Sequence, residues 1–332
     1  MRILVTGGAG YIGGTVAALL AEKGHQPVIF DNFSHARRDL LPAGVEFVEG
    51  ELADRTMLER LFVAARQSGA PFHGVLHFAA LIEAGESMTK PEIYFRNNTA
   101  STLSLLEAIL AEGPRRLVFS STAAVYGEPE SVPIREDARL APTNPYGQSK
   151  LLVEQMLAWF NRIHGLRYAS LRYFNVAGAP QGPNGVTRGE AHEPETHLIP
   201  LVLDVAVGRR LSTRVYGDDY PTPDGTCIRD YIHVSDLADA HLLALEALGS
   251  RDSLICNLGN GQGFSVRQVI EAARCVTGHP IPAEVHPRRA GDPAVLVASS
   301  EKALRELGWK PRYTQLDEIL RSAWLWHQKR YA

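Results

Sequence analysis

Tyr146 and Lys150 stand four residues apart in Tyr146-Gly147-Gln148-Ser149-Lys150. On a helix that spacing puts both side chains on one face a turn apart, so a phenol and an ammonium can share one small volume. The chemistry this allows is proton transfer by a tyrosine. A free phenol ionises near pH ~10, and using it as a base near neutrality takes a drop of ~3 units, about 4 kcal/mol, which nearby positive charge can supply. A hydroxyl for the same network is available in Ser120-Ser121-Thr122, delivered by the apolar strand predicted at Leu117-Val118-Phe119. Taken alone, these residues fit an interfacial tyrosine, a solvated lysine and a strand-end hydroxyl as well, so the elements around them decide.

The first element is a strand, a glycine turn and a helix. Ile3 to Val5 is apolar, Thr6-Gly7-Gly8-Ala9-Gly10-Tyr11-Ile12-Gly13 follows, and Val16, Ala17, Leu19 and Leu20 carry helical period. Gly8, Gly10 and Gly13 satisfy GxGxxG and Gly7, Gly10 and Gly13 satisfy GxxGxxG, a turn at which a pyrophosphate can approach a helix N-terminus. Pro27 to Phe30 is a second strand ending in Asp31, 18 residues after Gly13, where a carboxylate can accept hydrogen bonds from an adenosine ribose diol. Arg37 and Arg38 could hold a 2′-phosphate, but Asp31 would repel it, so NAD is favoured over NADP.

Further strands are predicted at Val45 to Val48, at Gly74 to Ala80 and at Arg167 to Phe174, with Asn175 at the end of the last. Helices are predicted from Arg55 to Arg66, from Pro91 to about Ala111 with Asn97 and Asn98 in its first half, and onward from Tyr146. His77, inside a buried strand, reads as a satisfied core histidine. Five βα units with right-handed crossovers predict an α/β fold with a doubly wound parallel (Rossmann) sheet, which binds ligands at the carboxyl ends of its strands.

From about Ala177 glycine and proline become frequent and the elements shorter, so residues 1–176 read as a NAD-binding domain and 177–332 as a smaller, mainly substrate-binding C-terminal domain, with the chain free to cross back. Arg229 and Arg289 stand out there because guanidinium forks suit a diphosphate. Gly259-Asn260-Gly261 reads as a turn before a helix, Val295-Leu296-Val297 as a strand, and the chain ends on an amphipathic helix bearing Leu316, Ile319, Leu320 and Trp324.

Composition narrows the partners. With 34 basic and 37 acidic residues and a net charge of −3 over 332 residues, nucleic acid is not expected. Cys227, Cys256 and Cys275 form no CxxC pair, which argues against a disulfide framework and a zinc site and for reduced thiols in the cytoplasm, so no metal is expected. No secretory leader and no membrane-spanning run is read, so no membrane partner is expected either.

The glycine turn, together with Ser120-Ser121-Thr122-Ala123-Ala124-Val125-Tyr126-Gly127, Asn144-Pro145-Tyr146-Gly147-Gln148-Ser149-Lys150, Leu171-Arg172-Tyr173-Phe174-Asn175 and Arg229-Asp230-Tyr231-Ile232-His233-Val234, closely resembles the UDP-glucose 4-epimerases, a family of extended short-chain dehydrogenase/reductases. The resemblance runs from Met1 through the terminal helix. It implies Tyr146 as base, Lys150 as its helper and Thr122 as the hydroxyl. It implies cofactor contacts at Gly7, Gly10, Tyr11, Ile12, Asp31, Asn32, Leu52, Phe78, Ala79, Ala80, Asn98 and Phe174, alongside Tyr146 and Lys150, with Glu51 where an aspartate commonly meets the adenine. Nucleotide-sugar contacts are implied at Thr122, Asn175, Leu198, Tyr216, Arg229, Arg289 and Asp292. Leu296 falls where the family gauges the group at the sugar's 2-position. Ile82 replaces a lysine of some members, and His197 an asparagine beside the uracil.

The activity so implied is interconversion of UDP-glucose and UDP-galactose through a 4-keto sugar with tightly bound NAD, in a homodimer joined by the long helices near Asn98 and Met156. Alternatives are an epimerase of UDP-N-acetylhexosamines or UDP-pentoses, a sugar-nucleotide 4,6-dehydratase, and a non-catalytic NAD-binding regulator. Dehydratases of this kind carry Asp-Glu just after the Thr122 position, where this chain has Ala123-Ala124.

Overall fold

The computed structural model describes residues 1–182, 185–186, 188–289 and 291–331. In chain order, strand β1 (Arg2–Thr6) is followed by helix α1 (Tyr11–Glu22), β2 (Gln26–Asp31), β3 (Glu46–Glu49), α2 (Arg55–Gln67) and β4 (Gly74–His77). Then come α3 (Ala84–Ser87), α4 (Pro91–Tyr94), α5 (Ser101–Glu112), β5 (Arg116–Thr122), α6 (Pro145–His164) and β6 (Arg167–Tyr173). Local chemistry sets several ends. Asp54 caps α2 by accepting from Met57 N at 2.9 Å, and Asn144 caps α6 by accepting from Gly147 N at 2.8 Å, with Pro145 just inside.

The helix predicted from Pro91 to Ala111 is not continuous. Phe95–Ala100 runs as a π segment between α4 and α5. The predicted fourth strand also stops early, at His77, with Phe78 N still donating to Thr6 O of β1 at 2.9 Å before Ala79 and Ala80 turn away.

The remainder comprises β7 (Asn175–Ala177), the short pair β8 (Gln181–Gly182) and β9 (Gly185–Val186), α7 (Leu198–Ala206), β10 (Thr213–Tyr216), β11 (Ile228–His233) and α8 (Val234–Ala247). It closes with β12 (Ser253–Leu258), β13 (Gly263–Ser265), α9 (Val266–Thr277), β14 (Ala283–His286), β15 (Val295–Leu296), α10 (Glu301–Leu307) and α11 (Leu316–Tyr331). The turn at Gly259 to Gly261 leads into β13 rather than directly into a helix. Ser265 then opens α9 with a capping box completed by Gln268.

Seven strands form the main sheet, in the order β12-β6-β5-β4-β1-β2-β3. The pairs β4–β5, β1–β4, β1–β2 and β2–β3 are parallel, and strand order reverses between β1 and β4, the switch point at which such sheets take ligands. Six of these strands come from the first 176 residues; the seventh, β12, arrives late and covers β6.

Two compact units result. The first holds Met1–Gly127, Leu140–Arg172 and Ala238–Cys256, and the second Glu128–Arg139, Tyr173–Leu237 and Asn257–Ala332. The chain passes to the second unit at Tyr173, near the expected cut after 176, and crosses back to the first at Ala238–Cys256, while Glu128–Arg139 joins the second unit ahead of that cut. The core of the first unit packs Leu58, Phe62, Leu105, Ile109, Val153 and Leu157 of α2, α5 and α6 on Leu4, Val28, Val75, Leu117 and Phe119 of the sheet. The second unit has its own core, where Val202 and Leu203 of α7, Val269 and Ile270 of α9 and Ile319 and Leu320 of α11 meet. Leu316 and Trp324 of the terminal helix are buried there too.

Candidate active site

The cofactor-type cradle is built from backbone that tolerates no side chain. Gly7 has φ +70°, and a Cβ on it would meet Ala79 N at 2.5 Å; a Cβ on Gly13 would meet Gly7 O at 2.4 Å. The chain ends of β1 and β4 thus touch at the switch point, and α1 starts directly above with no side chain capping it at Gly10. Asp31 closes the cradle from β2, its Oδ2 accepting from Ala9 N at 3.1 Å and its Oδ1 from Phe33 N at 2.8 Å. Burial raises the Asp31 carboxyl above its ordinary range, opposed by these N–H donors.

Beyond Asp31, the Asn32 amide donates to both oxygens of Glu51, at 3.3 and 3.1 Å. Arg37 pairs with Asp39 and Arg38 with Glu49, Arg38 also lying 4.2 Å over the Phe33 ring. Both arginines are therefore engaged by carboxylates or an aromatic face. Tyr11 is buried, Ile12, Leu52, Ala79 and Ala80 are half-buried, and Phe78 packs on His241 of α8 with ring centres 4.6 Å apart.

Close contacts bring together the residues that the sequence suggests for proton transfer. A Cβ on Gly147 would strike Ala124 O at 2.6 Å, so glycine there lets the first turn of α6 lie against the chain just after β5. That approach sets the Tyr146 hydroxyl beside Thr122, whose Oγ1 accepts from Ala124 N at 3.1 Å. Lys150 is buried, donates to Ser120 O at 2.8 Å and lies 4.9 Å from the centre of the Phe119 ring. Tyr146 N donates to Ser87 Oγ at 3.2 Å.

The π segment supplies the brace. Buried Asn98 accepts from Leu81 N at 2.8 Å and donates to Leu81 O at 2.9 Å and to Ser149 Oγ at 3.1 Å, while Ser149 donates to Tyr146 O at 2.7 Å. Asn98, expected at the cofactor, spends its amide on tying the chain after β4 to the turn that holds Tyr146.

The electrostatics correct one expectation. Burial pushes Tyr146 up to about 12, the Thr122 hydroxyl working the other way, and burial alone draws Lys150 down to about 7. A dry pocket disfavours both charged forms, so the lysine by itself does not produce a low phenol pKa. His77, beneath, bonds Thr6 Oγ1 at 2.6 Å and Thr102 Oγ1 at 2.8 Å and is held near 3 by burial and by Lys150; it is a core histidine, as read from the sequence.

One turn beyond Lys150, Glu154 forms a buried ion pair with Arg172 at 2.6 Å and accepts from Ser121 Oγ at 2.5 Å; Arg172 also donates to Tyr126 at 2.9 Å. The sequence alone does not mark Ser87, Ser149, Glu154 and Arg172 as site residues. A serine three residues after Tyr146 and an acid four after Lys150 were the available signals.

In the second unit, Arg229 sits on β11 beside Leu296 of β15 and one residue before Asp230. Asp230 fixes this strand by accepting from Asn260, Gly261 and Ala298 backbone at 2.6, 3.0 and 3.1 Å. Arg229 lies 3.6 Å from Asp292, Arg289 donates to Asp292 at 3.0 Å, and Arg289 stacks 4.9 Å over Tyr216. Asn175 pairs with Tyr231 of the same strand, Leu198 opens α7 after His197, and buried Phe174 belongs to this unit by its bond to Leu258 O at 3.3 Å.

Comparison with known proteins agrees. Residues 3–259 match the model of the NAD dependent epimerase/dehydratase family. The chain is 55% identical over 326 residues to the UDP-glucose 4-epimerase of Streptomyces lividans, covering 98% of this chain and 96% of that one. It superposes with a TM-score of 0.91 on UDP-glucose 4-epimerase from Brucella ovis in complex with NAD, at 45% identity and 97% coverage of each chain. The TM-score is 0.92 for the Bifidobacterium longum enzyme in complex with NAD+ and UDP, at 38% identity, covering 99% of this chain and 98% of that chain. The chain belongs to the NAD dependent epimerase/dehydratase family and, within it, to the UDP-glucose 4-epimerases.

Proposed function

We infer that the protein is an NAD-dependent isomerase that interconverts UDP-glucose and UDP-galactose at C4, with Tyr146 as its proton-transfer group. The observation that carries the assignment of Tyr146 is its hydroxyl contact with Thr122 at the carboxyl edge of β5, on the helix turn that also bears Lys150. The glycine cradle and Asp31 fit a dinucleotide: side chains are excluded where a pyrophosphate would lie, and a carboxylate ends β2.

When bound, oxidised NAD supplies a hydride acceptor, later a hydride donor, and one positive charge. The protein's part is to handle the proton. Tyr146 takes it from the sugar's 4-hydroxyl and returns it to the same oxygen once the 4-keto sugar has turned its other face to the cofactor, while Thr122 holds that oxygen. Lys150, fixed on Ser120 O, adds cationic character near the phenol whenever it carries its proton. Because the keto sugar must turn over without leaving, its grip falls on the UDP part, for which Arg229, Arg289, Asp292, Tyr216, Asn175 and Leu198 are the proposed contacts.

The protein is proposed to act in the cytoplasm as a homodimer joined through α5 and α6, which leave Leu103, Trp159 and Ile163 exposed. No helix of the described residues is long and apolar enough to cross a membrane. Incubating the purified protein with UDP-galactose and no added NAD should yield UDP-glucose; failure to do so with cofactor present in the protein overturns the reading. The 4,6-dehydratase alternative is disfavoured by Ala123-Ala124, which bring no acid beside Thr122.

A further inference from the structure

The eight residues ahead of α7, Glu190 to His197, gather four side chains that no step of the epimerisation uses. One donor atom each from Glu190, His192, Glu195 and His197 lies within 4.8 Å of the other three, the one group of this kind among the described residues. His197 Nδ1 is 2.9 Å from Glu190 Oε1 and 2.9 Å from Glu195 Oε1. His192 Nδ1 is 3.3 Å from Glu190 Oε1 and 4.0 Å from Glu195 Oε2. Donors roughly 2.0–2.2 Å from a common tetrahedral centre are about 3.4 Å apart, so these separations bracket what one small cation imposes.

Two imidazoles facing two carboxylates reach the same net charge with two protons or with one divalent cation between neutral rings. His192 discriminates between them. Its Nδ1 is buried, and the Glu190 oxygen 3.3 Å away is not aligned for a full hydrogen bond. As a proton donor that nitrogen would be poorly satisfied, at a cost of up to about 1–3 kcal/mol; unprotonated, within 4.8 Å of the other three donor atoms, it is available to a cation. We propose that Glu190, His192, Glu195 and His197 bind one divalent transition-metal cation.

The donor set names the class. Two nitrogens and two carboxylate oxygens suit zinc or a neighbouring borderline metal, whereas magnesium and calcium take oxygen alone and thiolates are absent from the cluster. Four protein donors leave a tetrahedral ion no open position, so the site is structural. All four lie within one short segment whose last member, His197, is the N-cap of α7, so the ion would pin the start of that helix.

Cobalt(II) titration of the purified protein, cofactor retained, tests this. Saturation at one equivalent per chain, with the intense visible bands of a four-coordinate centre that zinc then bleaches, is the expected result. His192→Ala and Glu190→Gln should each weaken binding by at least ~100-fold, beyond the ~10–100-fold that loss of an outer partner costs. His192 is only half-buried, so its variant should fold even where Glu190→Gln does not. Only the faint bands of the aqua ion, or unchanged titrations in both His192→Ala and His197→Ala, would overturn the site.

Discussion

Tyr146 and Lys150 define what single side chains must do. Tyr146→Phe should lower kcat by at least ~100-fold, the lower end of general acid–base contributions, with sugar-nucleotide binding little changed; steady-state kinetics and a binding titration read the two. Activity should fall as pH drops through the Tyr146 pKa, since the protonated phenol is no base. Lys150→Ala removes a cation that favours phenolate, so that limb should move to higher pH; an unmoved limb takes Lys150 out of its role. The fold carries the opposite cost. Lys150 has a folded pKa of about 7 against an ordinary 10.5, so the unfolded chain binds this proton more tightly. The penalty is full below pH ~7 and fades as pH rises toward ~10.5. Lys150→Met should therefore raise the urea midpoint of cofactor-stripped protein near pH 6.5 and scarcely change it near pH 10. At this scale the sequence was informative about which residues meet, because helix periodicity puts Tyr146 and Lys150 together. It did not yield the charge state, which depends on how dry the pocket is. The Glu190–His197 group carries no cysteine spacing of the CxxC kind to mark it in the sequence.

Elements supply precision at two junctions. Gly7→Ala places a Cβ 2.5 Å from Ala79 N at a positive φ; the ~1–3 kcal/mol of strain should lower the melting temperature and the NAD retained per chain together. The second junction is the α6 anchor. Glu154→Ala leaves the buried Arg172 guanidinium without its carboxylate, which should cost about 3–5 kcal/mol in chemical denaturation, and adding Arg172→Met should recover part of it. Strands β1 to β6 were legible within a few residues because apolar runs alternate with helical period. The π segment was not. Nothing in the residue types of Phe95–Ala100 distinguishes it from ordinary helix; it is held by Asn98 reaching Leu81 and Ser149, contacts from distant parts of the chain.

For the whole molecule, denaturing the purified enzyme should release about one NAD per chain, and stoichiometric consumption of added NAD during turnover would point to a dehydrogenase instead. Substrate width is proposed to depend on the second unit. Leu296, half-buried beside Arg229, is expected to favour UDP-galactose and allow slow turnover of UDP-N-acetylgalactosamine. Leu296→Ser should shift the kcat/KM ratio toward the N-acetyl sugar by an amount in the ~1–3 kcal/mol range of such steric differences. An unchanged ratio removes Leu296 as gatekeeper. The seventh strand was missed because β12 follows some eighty residues after β6 in sequence, and pattern reading gives no partner for so distant a run. That separation matters during synthesis. Until residues 253–258 leave the ribosome, β6 stands as a bare sheet edge, with Tyr168 N deprived of Asp252 O, and exposed edges invite pairing with other chains. A nascent chain stalled near residue 176 would carry the glycine turn, Tyr146 and Lys150 and still be prone to aggregate, so a single late-made strand shields what was made first.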